Sequence, residues 1–244
     1  MNYTFIMKKK VNLFIFTFLL LFLSKTHSND IYQSIQPELS SDNVSNNDLK
    51  YASFKQLAVV TANDYATEIG YKILSEGGSV ADAAVAIQLT LGLVEPQSSG
   101  IGGGIFLTYY DEKTKKKISY EGREKAPHNI RNDIFLKENG KPKKFFEAAI
   151  GGASVGVPAT LKTLHQFHKD FGKLKWQDIV RPVIDLSLNG FTPPNRLINA
   201  INKENFLFDL NPNSIFMQIR SNSNKKFFND EYTKTLIEIS KGID

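Results

Sequence analysis

The stretch Val80–Leu93 constrains the fold more than any other part of this 244-residue chain. It is built mainly of Ala, Val, Ile and Leu, spread around the whole circumference of a helix. A helix without a polar face lies inside a protein rather than on it. Ser79 with Asp82 three residues later is a capping-box variant that can satisfy the first free amides, and Glu95-Pro96 ends the run.

The flanking pattern supplies neighbours for that helix. Leu57–Val60 reads as a short strand. Ala66, Ile69, Ile73 and Leu74 fall on one face of an amphipathic helix, which Gly77-Gly78 stops. Beyond the interior helix, Ile105–Tyr110 is a strand by its aromatic and β-branched content. A lysine-rich turn over Asp111–Lys117 returns the chain as Ile118–Arg123, which makes a hairpin. Pro158–Phe171 and Trp176–Leu188 are helix patterns, the second closed by Asn189-Gly190. Arg196–Asp230 is polar and weakly patterned, and Tyr232–Ser240 is helical.

The formal charge of +5 and the pI near 9.1 suggest a polyanion binder until the charges are located. Residues 1–28 hold Lys8, Lys9, Lys10 and Lys25 and no acid, which leaves only +1 for residues 29–244. A nearly neutral body has no electrostatic footprint for nucleic acid. The lysines instead precede Val11–Leu23, an apolar run interrupted only by Asn12 and Thr17. As a helix it spans roughly 20 Å, short of a ~30 Å hydrocarbon core. The expectation is a signal peptide over residues 1–28, with cleavage after Ser28 and export to a periplasm or beyond; a retained anchor helix is the alternative. Residues 29–50 are rich in Ser, Asn, Asp and Gln and read as a disordered polar tether, and the folded part begins near Tyr51. The absence of cysteine removes disulfide scaffolds, thiolate zinc sites and cysteine nucleophiles together.

Several residues could carry chemistry. The Gly100–Gly104 cluster fails as a dinucleotide loop: Ile105 replaces the third glycine, and a strand follows where a helix should. A packing role is the better reading for it. His165 and His168 stand three apart on a helix, but no third ligand accompanies them, and zinc needs three or four. The lysines at 113–117 read as a solvated hairpin tip. Arg123 ends a strand beside Glu124. A guanidinium steadied by a neighbouring carboxylate can grip a substrate carboxylate through two parallel hydrogen bonds, though position alone fits a structural salt bridge better.

Taken jointly, these segments resemble the γ-glutamyltranspeptidase family. The likeness is carried by Glu95–Gly104, by Gly122–Pro127 after the hairpin, by Val155–Pro158, by Phe171–Trp176 and by Asn189–Pro193, in family order. Residues 51–244 then correspond to the N-terminal portion of the family's large subunit, and the last ten residues look like a family helix and turn cut off partway. The resemblance implies an α+β, four-layer αββα N-terminal-nucleophile hydrolase fold, incomplete in this chain. It implies a precursor that cuts itself in two, so that the rest of the precursor is the partner. The new N-terminal threonine attacks the γ-glutamyl carbonyl of glutathione or a related small donor, and the acyl-enzyme passes the group to water, an amino acid or a peptide. No cofactor or metal is called for. That threonine is expected beyond position 244; Thr61, Thr160 and Thr163 lack its motif, so no catalytic residue is expected here and turnover by the chain alone is not expected. The family's donor-binding arginine matches Arg123, which reverses the salt-bridge reading. Alternatives are a sibling acylase of the cephalosporin-acylase or capsule-transferase type, or a non-catalytic exported binding protein.

Overall fold

In the computed structural model, which describes residues 56–243, the interior helix has the neighbours its composition demands. The signal-peptide and tether expectations and the start near Tyr51 lie outside the described residues. Helix α1 (Asp64–Ser75) is capped by Asn63, whose side chain accepts from the Tyr65 amide. It ends as its glycines dictate: the Gly77 amide donates to Leu74 O and the Gly78 amide to Ile73 O, a Schellman closure with Gly77 at φ 92°. Helix α2 (Val80–Val94) carries the reciprocal cap between Ser79 and Asp82, and ten of its fifteen residues are buried.

Leu57–Val60 is not a strand. It has no pairing partner among the described residues, and Val60 is 89% exposed. Extended backbone needs a neighbour's ladder before it counts as a sheet, and β propensity cannot supply one. The hairpin does form. Strands β1 (Ile105–Asp111) and β2 (Lys116–Gly122) pair antiparallel, with Ile105 opposite Gly122 and Asp111 opposite Lys116. The inward side chains Tyr109 and Tyr120 pack edge-on to Phe167 of the later helix over Thr160–Phe171, while Phe106 and Tyr110 stand exposed on the other face. Burial, with a hydrogen bond to Asp170, pushes the Tyr120 hydroxyl up to about 12.

After a short helix α3 (Phe145–Ala149) come α4 (Thr160–Phe171) and α5 (Trp176–Asn189), close to their expected bounds. The weakly patterned region holds three short helices, α6 (Asn195–Lys203), α7 (Asn205–Leu210) and α8 (Met217–Ser221). Tertiary burial of Leu197, Ile201 and Ile219, rather than intrinsic propensity, accounts for α6 and α8. Helix α9 (Asp230–Ser240) follows. One core joins α2 to α1, α4, α5 and α9 through Ile73, Leu89, Leu164, Ile179, Val183 and Leu236. A second gathers Leu93, Phe191, Leu197, Ile201, Ile219 and Phe227 at the far end of α2. Burying each such aliphatic side chain contributes about 1.5–3 kcal/mol. Of the four layers expected, the described residues show helices backing one face of a two-stranded sheet. No helix among them is long and apolar enough to cross a membrane.

Candidate functional site

At the open end of the hairpin three sequence-distant loops converge. Antiparallel register places Gly104 opposite Arg123, just past the last pair, Ile105 and Gly122. The approach is close: a Cβ on Gly104 would lie 2.7 Å from Glu124 N and 2.9 Å from Arg123 Cα, and would strike the Glu124 carboxylate. The third loop flanks Glu124 from elsewhere, since a Cβ on Gly156 would sit 3.0 Å from Glu124 Cγ. Lys125 and Val157 exchange backbone hydrogen bonds of 3.4 and 2.8 Å. Gly103 O accepts the Ala159 and Thr160 amides at 3.0 and 3.2 Å, so the glycine run terminates on the first turn of α4. Gly122 leaves room for Thr163 of the same helix.

Arg123 is exposed, as is Glu124. The expected steadying ion pair between them is not formed, and neither side chain is in a salt bridge among the described residues. The reason is steric: Glu124 is held in the slot between Gly104 and Gly156. The guanidinium is thereby left with its five donors available to an anion. The packing reading of the glycines holds for Gly104 alone. At Gly100, Gly102 and Gly103 an added Cβ would meet nothing within 4 Å, and none has positive φ.

The histidine pair has structural work. His165 and His168 each set a ring edge-on to Trp176, with centroids 5.2 Å away. His168 Nε2 lies 3.0 Å from Leu174 O and 3.3 Å from Asp82 Oδ1. No group of three or more metal-ligating side chains occurs among the described residues. Two of the threonines are accounted for as structure: Thr61 Oγ donates to Asn63 O at 2.7 Å and Thr163 Oγ to Ala159 O at 2.9 Å, while Thr160 is buried in the first turn of α4 with its hydroxyl unpartnered.

Two buried carboxylates escaped the sequence reading as tertiary anchors. Asp82 caps α2, and it also accepts the Lys173 and Leu174 amides at 3.0 and 3.3 Å. Glu95, 1% exposed, accepts from Asn63 Nδ2 at 2.8 Å and Gln97 Nε2 at 2.5 Å, with Arg196 Nη1 at 3.6 Å. Glu95 O also receives the Ser98 and Ser99 amides, so the loop leading to Gly104 leaves α2 in a fixed direction. The only hint of this in sequence was an acid embedded in an otherwise apolar helix end. An apolar groove of about 380 Å³ borders the loop's start at Pro96 and Gln97, and Arg123 does not line it.

The profile described as Gamma-glutamyltranspeptidase matches residues 66–242, a span that contains all three loops. The chain belongs to the γ-glutamyltranspeptidase family. It is similar to the Glutathione hydrolase proenzyme of Bacillus subtilis, with 42% identity over 157 residues, covering 62% of this chain and 27% of that one. Among solved structures it is similar to the γ-glutamyltranspeptidase of Pseudomonas nitroreducens complexed with L-DON (TM-score 0.68, 29% identity, 78% of this chain and 56% of that one). The Helicobacter pylori γ-glutamyltranspeptidase aligns with TM-score 0.71 at 27% identity, over 79% of this chain and 56% of that one. The described residues are therefore a part of the α+β N-terminal-nucleophile hydrolase fold of these transpeptidases. The chain spans about a quarter of the length of the curated relative and little more than half of each solved chain.

Proposed function

We propose that this chain supplies the donor-carboxylate grip of an enzyme that transfers or hydrolyses γ-glutamyl groups, glutathione being the model donor. The observation that carries the reading is the convergence of three family-like loops on Arg123, whose guanidinium is exposed and outside any ion pair among the described residues. Two parallel hydrogen bonds from it to a donor's α-carboxylate would fix the glutamyl group's orientation, so that its γ-carbonyl meets the nucleophile in one geometry.

In this reading the nucleophile is a threonine of the precursor outside these 244 residues, and that remainder is the partner. Its hydroxyl adds to the γ-carbonyl while its α-amine takes the proton. The C–N bond then breaks, the amine leaves with that proton, and water or an amine releases the glutamyl group from the ester. None of these steps needs a metal or organic cofactor. Export through the N-terminal segment completes the proposal.

The test is Arg123→Ala in the complete gene product, assayed by p-nitroaniline release from γ-glutamyl p-nitroanilide. Loss of charge-assisted hydrogen bonds worth about 1.5–3 kcal/mol lowers kcat/KM by roughly 10- to 150-fold, chiefly through KM. Arg123→Lys, which keeps charge without the planar fork, falls between. Michaelis parameters unchanged in Arg123→Ala would refute the role.

A further inference from the structure

The four glycines of Gly100–Gly104 do not serve one purpose. Three have open space where a side chain would stand, whereas Gly104 has the backbone of Arg123 and Glu124 there. We propose that Gly104 is a positioning residue for Arg123: the missing side chain lets the start of β1 press on the Arg123–Glu124 peptide and fix where the guanidinium is presented. The inference rests on the donor-binding role of Arg123 proposed above.

The geometry leaves no easy relief. Ordinary van der Waals contact begins near 3.4 Å, so a Cβ placed 2.7 Å from Glu124 N demands a displacement of about 0.7 Å. Retreat is blocked on two sides. Gly156 already stands against the Glu124 side chain, and the next residue, Lys125, is tied to Val157 by two backbone hydrogen bonds. Gly104 itself cannot back away freely, because Gly103 O holds the first turn of α4 and Ile105 begins the ladder with Gly122. The strain is therefore relieved by shifting the root of Arg123. A guanidinium at the end of a long side chain magnifies a shift at its Cα, and a misplacement near 1 Å can cost on the order of 100-fold in a positioned reaction.

The experiment is a double-mutant cycle in the complete gene product with γ-glutamyl p-nitroanilide as donor. Gly104→Ala is expected to raise the donor KM roughly 10- to 100-fold, with kcat within about twofold of wild type. In an Arg123→Ala background the same substitution should add nothing, because the group it displaces is gone. An unchanged KM in Gly104→Ala, or an equal loss in both backgrounds, overturns the positioning role and leaves the donor-binding reading standing. An unchanged KM in Arg123→Ala overturns both. If Gly104→Ala does not accumulate as folded protein, Gly156→Ala carries the test. The nearest atoms to its Cβ are Glu124 Cγ and Cβ and Lys125 O, at 3.0–3.2 Å, and a milder KM rise of about two- to tenfold is expected on the same cycle.

Discussion

Removing the Asp82 side chain tests whether one buried carboxylate joins the start of α2 to the α4–α5 connection. Asp82 is fully buried and accepts the Ser79 amide at 2.7 Å, the Lys173 amide at 3.0 Å and the Leu174 amide at 3.3 Å. In Asp82→Ala the reciprocal cap is lost, which costs about 1 kcal/mol. The two distant amides lose their acceptor, at about 1 kcal/mol each when water can partly replace it. The sum is about 3 kcal/mol. Trp176, the only tryptophan of the chain, sits edge-on to His168, which itself borders Asp82, so its fluorescence reports the region directly. In a urea titration with a slope near 2 kcal/mol per molar, the midpoint should fall by about 1.5 M. Asp82→Asn keeps one acceptor oxygen but forfeits the charge, and should lose about half as much. A shift below about 0.3 M for Asp82→Ala, or equal losses for the two variants, would show that these contacts do not tie the elements together.

Gly92→Ala should destabilise the fold by about 1–3 kcal/mol in the same titration, because its Cβ would strike the Tyr232 hydroxyl that donates to Leu89 O. Adding Tyr232→Phe should recover part of that loss, and strict additivity of the two changes would refute the contact. Tyr120 gives a pH dependence. Burial first, and then its bond to Asp170, raise its hydroxyl to about 12, so between pH 10 and 12 the folded protein keeps a proton that the unfolded chain releases. Stability from this group is full below pH 10 and disappears as pH climbs through that window. Tyr120→Phe should flatten this alkaline limb in midpoints measured from pH 9 to 12, and an equally steep limb in the variant would contradict the assignment.

What was legible in the sequence was local. The cap at Ser79, the stop at Gly77-Gly78 and the Ile105–Gly122 hairpin each express an interaction closed within a few residues. Leu57–Val60 was misjudged because strand identity depends on a partner elsewhere, and α6 and α8 were missed because short helices owe their existence to burial against a distant core. At the candidate site Arg123 was identified by likeness. Its freedom from Glu124 was not, since the slot that holds Glu124 is made by Gly104 and Gly156, which lie 52 positions apart. The ties from Asp82 to Lys173 and from Glu95 to Arg196 span 91 and 101 positions, beyond the reach of any periodicity.

The connection from Glu95 to Gly104 is pinned at both extremities, by a carboxylate network at one and by the Gly103 carbonyl on α4 at the other. It behaves as a strut of fixed span. Side chains along its middle help to seat it, since Ser98 Oγ accepts from Arg196, Ser99 Oγ accepts from Gln88 and Ile101 packs on the first core. Inserting or deleting one residue would swing that carbonyl off the helix and unseat the arginine beyond it. Its length, in mechanical terms, is set by a number of peptide units.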